Sequence, residues 1–129
     1  MLDNLKNLVE KRVTAWEDSG VAYDEGLATR LRELIGAEPG LAEKKMFGGL
    51  AMLLHGNMAV GVHGDALIVR TDPARQETLL AEPGARVFDM TGRPMKGWLL
   101  VDPVGIAEDD DLRRWTDRGI AYARGLPPK

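Results

Sequence analysis

The sequence lacks cysteine, and it has only one serine and two histidines. Without cysteine the chain forms no disulfide, has no thiol nucleophile and offers no cysteine ligands for zinc. Ser19 is the only serine, and it does not lie in the Gly-x-Ser-x-Gly elbow of serine hydrolases. The sequence also lacks a recognisable signal peptide and any apolar run of the roughly 20 residues that span a bilayer. We therefore expect a cytoplasmic protein that does not enter the membrane.

The chain also lacks an excess of positive charge. Its 129 residues carry a formal net charge of -3 at pH 7. Because nucleic-acid affinity comes largely from neutralising phosphates, such a chain needs a local basic patch or a partner to bind DNA. Hydrophobic residues make up 44% of the sequence, which is enough to bury the core of one ordinary domain. We assign residues 21–129 to that domain and residues 1–20 to an amino-terminal extension.

The extension differs in composition from the rest of the chain. Val21 stands where a GTG start codon could be read as methionine. The codons of Trp16-Glu17-Asp18 would form a purine-rich stretch just upstream, similar to a ribosome-binding site. Our hypothesis is that the natural chain starts at Val21, and amino-terminal sequencing of the cellular protein tests it.

The two histidines do not form a metal site. His55 and His63 each precede a predicted turn, and consecutive turns of a meander lie at opposite ends of a sheet. Five strand residues separate the two turns by about 16 Å, whereas zinc–nitrogen bonds are about 2 Å. The glycine pair Gly48-Gly49 also follows lysines instead of preceding one, so it does not match a phosphate-binding loop. We therefore predict no metal, no cofactor and no catalytic residue.

Periodicity and turn residues predict an α+β fold with an antiparallel sheet. The predicted helices are Tyr23–Ile35, a short helix that starts at Asp72-Pro73, and Asp109–Arg124. The predicted strands are Leu41–Phe47, Leu50–Leu54, Met58–Val62, Ala66–Arg70, Arg86–Met90 and Gly97–Val101.

Turn chemistry gives more detailed expectations. We predict Gly56-Asn57 and Gly64-Asp65 at the centres of two type II′ turns, because glycine readily takes a positive φ at the first central position. Gly36 is predicted to take the left-handed position after the first helix. Gly48-Gly49 predicts a bulge or a turn.

Alternation along the strands predicts which side chains share a face. It places Met58, Val60 and Val62 on one face of the sheet. Basic residues from different strands could then converge at one end of the sheet, with aromatic and methionine side chains between them. The candidate interaction surface consists of Lys44, Lys45, Met46, Phe47, Arg93, Lys96 and Trp98. The alternative is that the lysines are solvated and the aromatic side chains belong to the core.

Several separated blocks of the sequence resemble the amino-terminal domain of the TfoX/Sxy family. These blocks are Glu43–Ala51, Gly56-Asn57-Met58, Ala81–Ala85, Thr91–Trp98 and Leu126–Lys129. The resemblance implies a two-layer α+β domain of order α-β(3)-α-β(2)-α, similar to the fold of secretion chaperones. The residues themselves predict one further strand, at Leu41–Phe47.

The resemblance also implies a regulatory role. Named bacterial members of the family regulate natural competence, acting with the cyclic-AMP receptor protein at promoters. Those regulators carry a second, carboxy-terminal domain, and the family brings no catalytic residues to carry over. We therefore expect a non-enzymatic module for protein–protein interaction in transcription regulation. Two alternatives stay open: a small-molecule or nucleotide-binding domain, which could be an enzyme, and a direct nucleic-acid binder. A homodimer also stays open as a partner of this module.

Overall fold

A six-stranded antiparallel sheet organises the chain in the computed structural model, which describes residues 23–46, 48–89 and 94–129. The strand order is β1-β2-β3-β4-β6-β5. The strands are β1 Leu41–Met46, β2 Gly49–Leu54, β3 Asn57–His63, β4 Ala66–Arg70, β5 Ala85–Val87 and β6 Trp98–Val101. The helices are α1 Glu25–Ile35, α2 Gln76–Leu80 and α3 Asp109–Arg124. The α+β prediction is confirmed, and the predicted extension at residues 1–20 lies outside the described residues.

Four strands precede α2, one more than the resemblance implies. β1 pairs along its whole length with β2, from Leu41 opposite Leu54 to Met46 opposite Gly49. The strand predicted from the residues is therefore present, and the β(3) order is wrong for this chain. The likeness to secretion chaperones stays a prediction.

Helix α1 begins where a side chain satisfies its first free amides. The carboxylate of Asp24 accepts a hydrogen bond from the amide of Gly26 at 2.8 Å, as an N-cap does. The backbone of Tyr23 instead forms an isolated bridge with Gly64. For that reason the helix starts two residues later than predicted. At its other end Gly36 has φ -60°, so the expected left-handed conformation is wrong there.

The β2–β3 turn also differs from the prediction by one residue. Leu54 pairs with Asn57, so the central residues are His55 and Gly56, with φ values of 51° and 86°. Two positive φ values are typical of a type I′ turn, in which the first central residue need not be glycine. In the β3–β4 turn Gly64 has φ 58°, in agreement with the prediction for that turn.

A β-bulge changes the faces on which the β3 side chains lie. The register between β2 and β3 shifts between Met52 and Leu53, because Met52 pairs with Val60 and Leu53 pairs with Met58. One extra residue in β3 breaks the simple alternation. Val60 therefore packs in the cluster on the helix side, whereas Met58 packs in the cluster on the opposite side. The prediction that both share a face is wrong. Of the glycine pair at 48–49, Gly48 lies in a turn and Gly49 is the first residue of β2.

Two apolar clusters lie on the two faces of the sheet. The larger cluster joins the sheet to α1 and α3 and includes fully buried Leu31, Leu112 and Trp115. The smaller cluster lies on the other face and includes Ile68 and Phe88. Helix α3 packs across β3 and β4 and is bounded as predicted.

The carboxy-terminal residues pack back onto the β2–β3 turn. The amide of Lys129 donates to the carbonyl of His55 at 2.9 Å. The buried side chain of Asn57 donates through Nδ2 to the carbonyl of Pro127 at 2.8 Å. Within the described ranges, no helix is long and apolar enough to cross a membrane.

Candidate functional site

Strand β1 forms one open edge of the sheet. In the described part of the chain it pairs with β2 alone, and its other side has no neighbouring strand. Its four central residues, Ala42 to Lys45, are exposed. An open edge presents backbone amides and carbonyls that can pair with another extended segment.

The register of β1 determines which of its groups point outward. Directly opposite residues of an antiparallel pair point to the same face. Lys44 lies opposite Ala51, so it shares the face of the smaller cluster, whereas Lys45 lies opposite Leu50 on the helix face.

The backbone groups of β1 alternate in direction as well. The amide of His55 donates to the carbonyl of Gly40, which makes residue 40 a hydrogen-bonded position. Residues that face the partner strand alternate with residues that face away from it. By this alternation the backbone of Lys44 faces β2, and the backbone groups of Glu43 and Lys45 point away from the sheet.

An ion pair links this edge to helix α1. The guanidinium of Arg32 contacts the Glu43 carboxylate through two hydrogen bonds of 2.8 Å each. These hydrogen bonds lower the pKa of Glu43 and raise the pKa of Arg32. The charge of Glu43 is thus neutralised within the domain, while Lys44 and Lys45 have no ion pair among the described residues.

The structure divides the predicted interaction surface into two parts. Met46 and Trp98 both pack against the smaller cluster, so they share a face of the sheet. However, three strands separate β1 from β6, a distance of about 19 Å at ordinary strand spacing. Met46 also lies at the Gly49 end of the sheet, whereas Trp98 pairs with Arg70 at the other end.

Three other members of the predicted interaction surface are Lys96, Phe47 and Arg93. Lys96 is exposed next to Trp98. Phe47 and Arg93 lie outside the described residues. The interaction role of the whole set stays a prediction.

A small cavity lies where α3 passes over the segment between β4 and α2. Its volume is about 230 Å³. It is lined by Thr71, Asp72, Arg75, Leu79, Arg118 and Tyr122. Sequence reasoning missed this site because its two arginines are 43 positions apart (118 minus 75) and form no linear motif.

The histidines lie at two different turns of the sheet, but only His63 precedes its turn as the sequence predicted. His55 is itself the first central residue of one turn, and His63 ends β3. Among residues 23–46, 48–89 and 94–129, no group of three histidine, cysteine or acidic side chains could hold a metal ion.

A comparison with models of known protein families identifies the family of this chain. The model of the TfoX N-terminal domain matches residues 33–123 of the 129-residue chain. This chain belongs to the TfoX N-terminal domain family. No curated protein and no solved structure matches it. TfoX N-terminal domains are generally regulatory rather than catalytic.

The match locates both candidate sites within the TfoX N-terminal domain. Strand β1 and its ion pair with α1 lie inside residues 33–123, apart from Arg32 itself. Arg75 and Arg118 of the cavity lie inside the same range. Both sites are therefore parts of this domain.

Proposed function

We propose that this TfoX N-terminal domain is a non-enzymatic, cytoplasmic interaction module that binds a protein partner by strand addition at β1. The single observation that carries the proposal is the open, exposed edge of this six-residue strand. Strand addition obtains its affinity from main-chain hydrogen bonds and its specificity from the side chains on either face.

The charges along β1 indicate which charge a partner segment should carry. Lysines on an edge strand discourage pairing with a second identical edge, because like charges would then face each other. Since Glu43 is already paired with Arg32, Lys44 and Lys45 supply the free charge of the edge. The favoured partner is an extended segment with acidic side chains, and a homodimer through β1 is disfavoured.

The regulatory character of the family supports a partner that takes part in transcription. We infer that the partner is a component of the transcription machinery, and that the domain reaches promoters through that protein. Direct nucleic-acid binding has less support, because β1 offers two lysines in a chain with net charge -3.

A proline substitution at one β1 position tests the proposal. Lys45→Pro removes an amide that faces away from β2, so the sheet should keep its fold while a bound segment loses a hydrogen-bond donor. Each backbone hydrogen bond contributes about 1 kcal/mol, so we expect partner affinity to fall about fivefold to tenfold. Lys45→Ala is the matched control for loss of the charge alone.

The measurement is capture of the partner from lysate, followed by titration of the captured protein against each variant. Circular dichroism and urea unfolding verify the fold of Lys45→Pro. If the folded proline variant binds the partner as tightly as Lys45→Ala does, strand addition at β1 is wrong.

Small-anion binding is a second candidate function. It is favoured by one specific observation, the arginine-lined cavity beside Arg118.

A further inference from the structure

The cavity beside Arg118 is separate from the β1 edge. Strand β4 leads directly into Thr71 and Asp72 of its lining, and two strands separate β4 from β1. Helix α3 contributes Arg118 and Tyr122, one helical turn apart. Three segments of the fold therefore build the site, which is typical of a binding pocket and not of a surface irregularity.

Arg118 is held in place on two sides. Its Nη2 lies 2.8 Å from a carboxylate oxygen of Glu82 in an ion pair, and its guanidinium carbon lies 4.6 Å from the ring centre of Trp115. The side chain is only 19% exposed. Trp115 is fully buried, so the ring forms a rigid support. An arginine fixed in this way is already oriented before a ligand arrives.

One terminal nitrogen of Arg118 has no acceptor. Nη1 is buried and makes no hydrogen bond among the described residues. Burying a charged donor without a partner is unfavourable, and such groups are rare in folded proteins. Arg118 therefore has one unsatisfied donor, and an oxygen with negative charge would satisfy it best.

The lining contains two arginines and one acid, and Glu82 pairs with only one of the two arginines. Arg75 is exposed and has no ion pair in the described part of the chain, so a second guanidinium is available. Asp72 is the single acid among the six lining residues, and its carboxylate already accepts a hydrogen bond from the amide of Ala74 at 2.9 Å. A third guanidinium, that of Arg70, lies 5.7 Å from the ring centre of Tyr122.

We propose that this cavity binds a small oxyanion, the phosphate or carboxylate group of a compact metabolite, between Arg118 and Arg75. The volume of about 230 Å³ lies below the range of drug-sized ligand pockets, so the ligand is small. An ordered water could accept a hydrogen bond from Nη1, but it would bring no charge to offset the second guanidinium. An oxyanion satisfies both requirements.

Titration of the full 129-residue chain tests the proposal. Inorganic phosphate and malonate are the two probes, each added at constant ionic strength in a chloride background and followed by calorimetry. We expect saturable binding of one probe at a single site, in the millimolar range or tighter. Tighter binding of phosphate or of malonate identifies the class of oxyanion.

Three variants locate the binding site. Arg75→Ala and Arg118→Gln should each weaken binding about tenfold, the value of one charge-assisted hydrogen bond. Arg113→Ala is the matched control: it removes the same charge from an exposed position of α3 that does not line this cavity, and it should change affinity less than about twofold. Arg75 is exposed and its loss should not disturb folding, so the test stands even if Arg118→Gln unfolds.

Two results would overturn the proposal. One is the absence of saturable binding for both probes. The other is equal affinity of Arg75→Ala, Arg113→Ala and the unaltered chain, which would indicate non-specific attraction. Lys45→Pro leaves this cavity unchanged, so the β1 proposal and this one can fail separately.

Discussion

At the scale of single residues, Gly119 shows how closely α3 approaches the sheet. A Cβ atom at this position would lie 2.5 Å from the carbonyl oxygen of Ala59 and 2.6 Å from a methyl carbon of Val60. The nearer of these atoms belongs to the backbone, which cannot move aside without shifting the strand. The residue is therefore required for the helix to pack at this distance.

We predict that Gly119→Ala destabilises the domain by about 1–3 kcal/mol, the usual cost of overpacking. At an exposed helix position the same substitution would instead stabilise the protein by about 1 kcal/mol, because alanine has a higher helix propensity than glycine. Gly125→Ala is the control, because its Cβ would meet no atom closer than 3.5 Å. Urea unfolding measures both variants. Equal stability of the two variants would contradict the close approach of α3.

His55 shows why one local prediction failed. Glycine is the usual signal for positive φ, so the sequence favoured Gly56 as the first central residue of the turn. The pairing of Leu54 with Asn57 instead puts His55 in that position, with φ 51°. Positive φ is several-fold commoner for histidine than for most residues, so the shift by one residue is tolerated.

At the scale of elements, the ion pair of Arg32 and Glu43 links α1 to the edge strand. Both side chains are more than a third exposed, at 39% and 37%, so solvent screens their interaction. Its contribution to stability should therefore stay below about 1 kcal/mol. The pair also has a definite pH dependence, since the pKa of Glu43 is lowered in the folded protein.

We predict that Glu43→Gln lowers stability near pH 7 and that the difference from the unaltered chain disappears in acid. A carboxyl whose folded pKa is lowered stabilises the protein above its unfolded pKa, here about 4.5. That contribution decreases as the pH falls from 4.5 through the lowered folded value. Unfolding free energies between pH 7 and pH 2 measure it. Glu33→Gln, at an exposed position of α1 without an ion pair in the described residues, is the matched control. A parallel trend in both variants would contradict this assignment.

The starts of helices were predicted best where a neighbouring side chain determines them. Asp24 caps α1 as expected, and the three acids at the start of α3 mark its first turn. Asp72 caps a 3₁₀ turn, Pro73–Arg75, so α2 itself begins at Gln76, later than predicted. The β3 bulge was not predictable, because it depends on how β3 pairs with β2 and not on β3 alone. The cavity was missed for a similar reason: Arg75 and Arg118 meet only after α3 has packed on the sheet.

At the scale of the whole molecule, the sheet separates two cores of unequal size. The larger core is enclosed by α1 and α3, and the smaller one includes Phe88, with Met95 and Trp98 packed against it. The β1 edge and the Arg118 cavity lie at different borders of this framework. A partner strand at one border and an oxyanion at the other could therefore bind at the same time.

The separation of the two cores predicts additive effects of substitutions on opposite faces. Ile106 is 2% exposed in the larger core, and Ile68 is fully buried in the smaller one. Ile106→Val and Ile68→Val should each cost about 0.5–1.5 kcal/mol, the usual cost of removing a buried methylene. Because the two side chains lie in different clusters, the double variant should lose the sum of the two single losses to within about 0.5 kcal/mol.

Urea unfolding of the two single variants and the double variant measures this additivity. Each loss is small enough that a domain of ordinary stability stays folded in the double variant. An interaction energy well above about 0.5 kcal/mol would mean that the sheet transmits strain from one core to the other. In that event a ligand held by Arg118 could alter the β1 edge, and the two sites would have to be studied together instead of as independent binding surfaces.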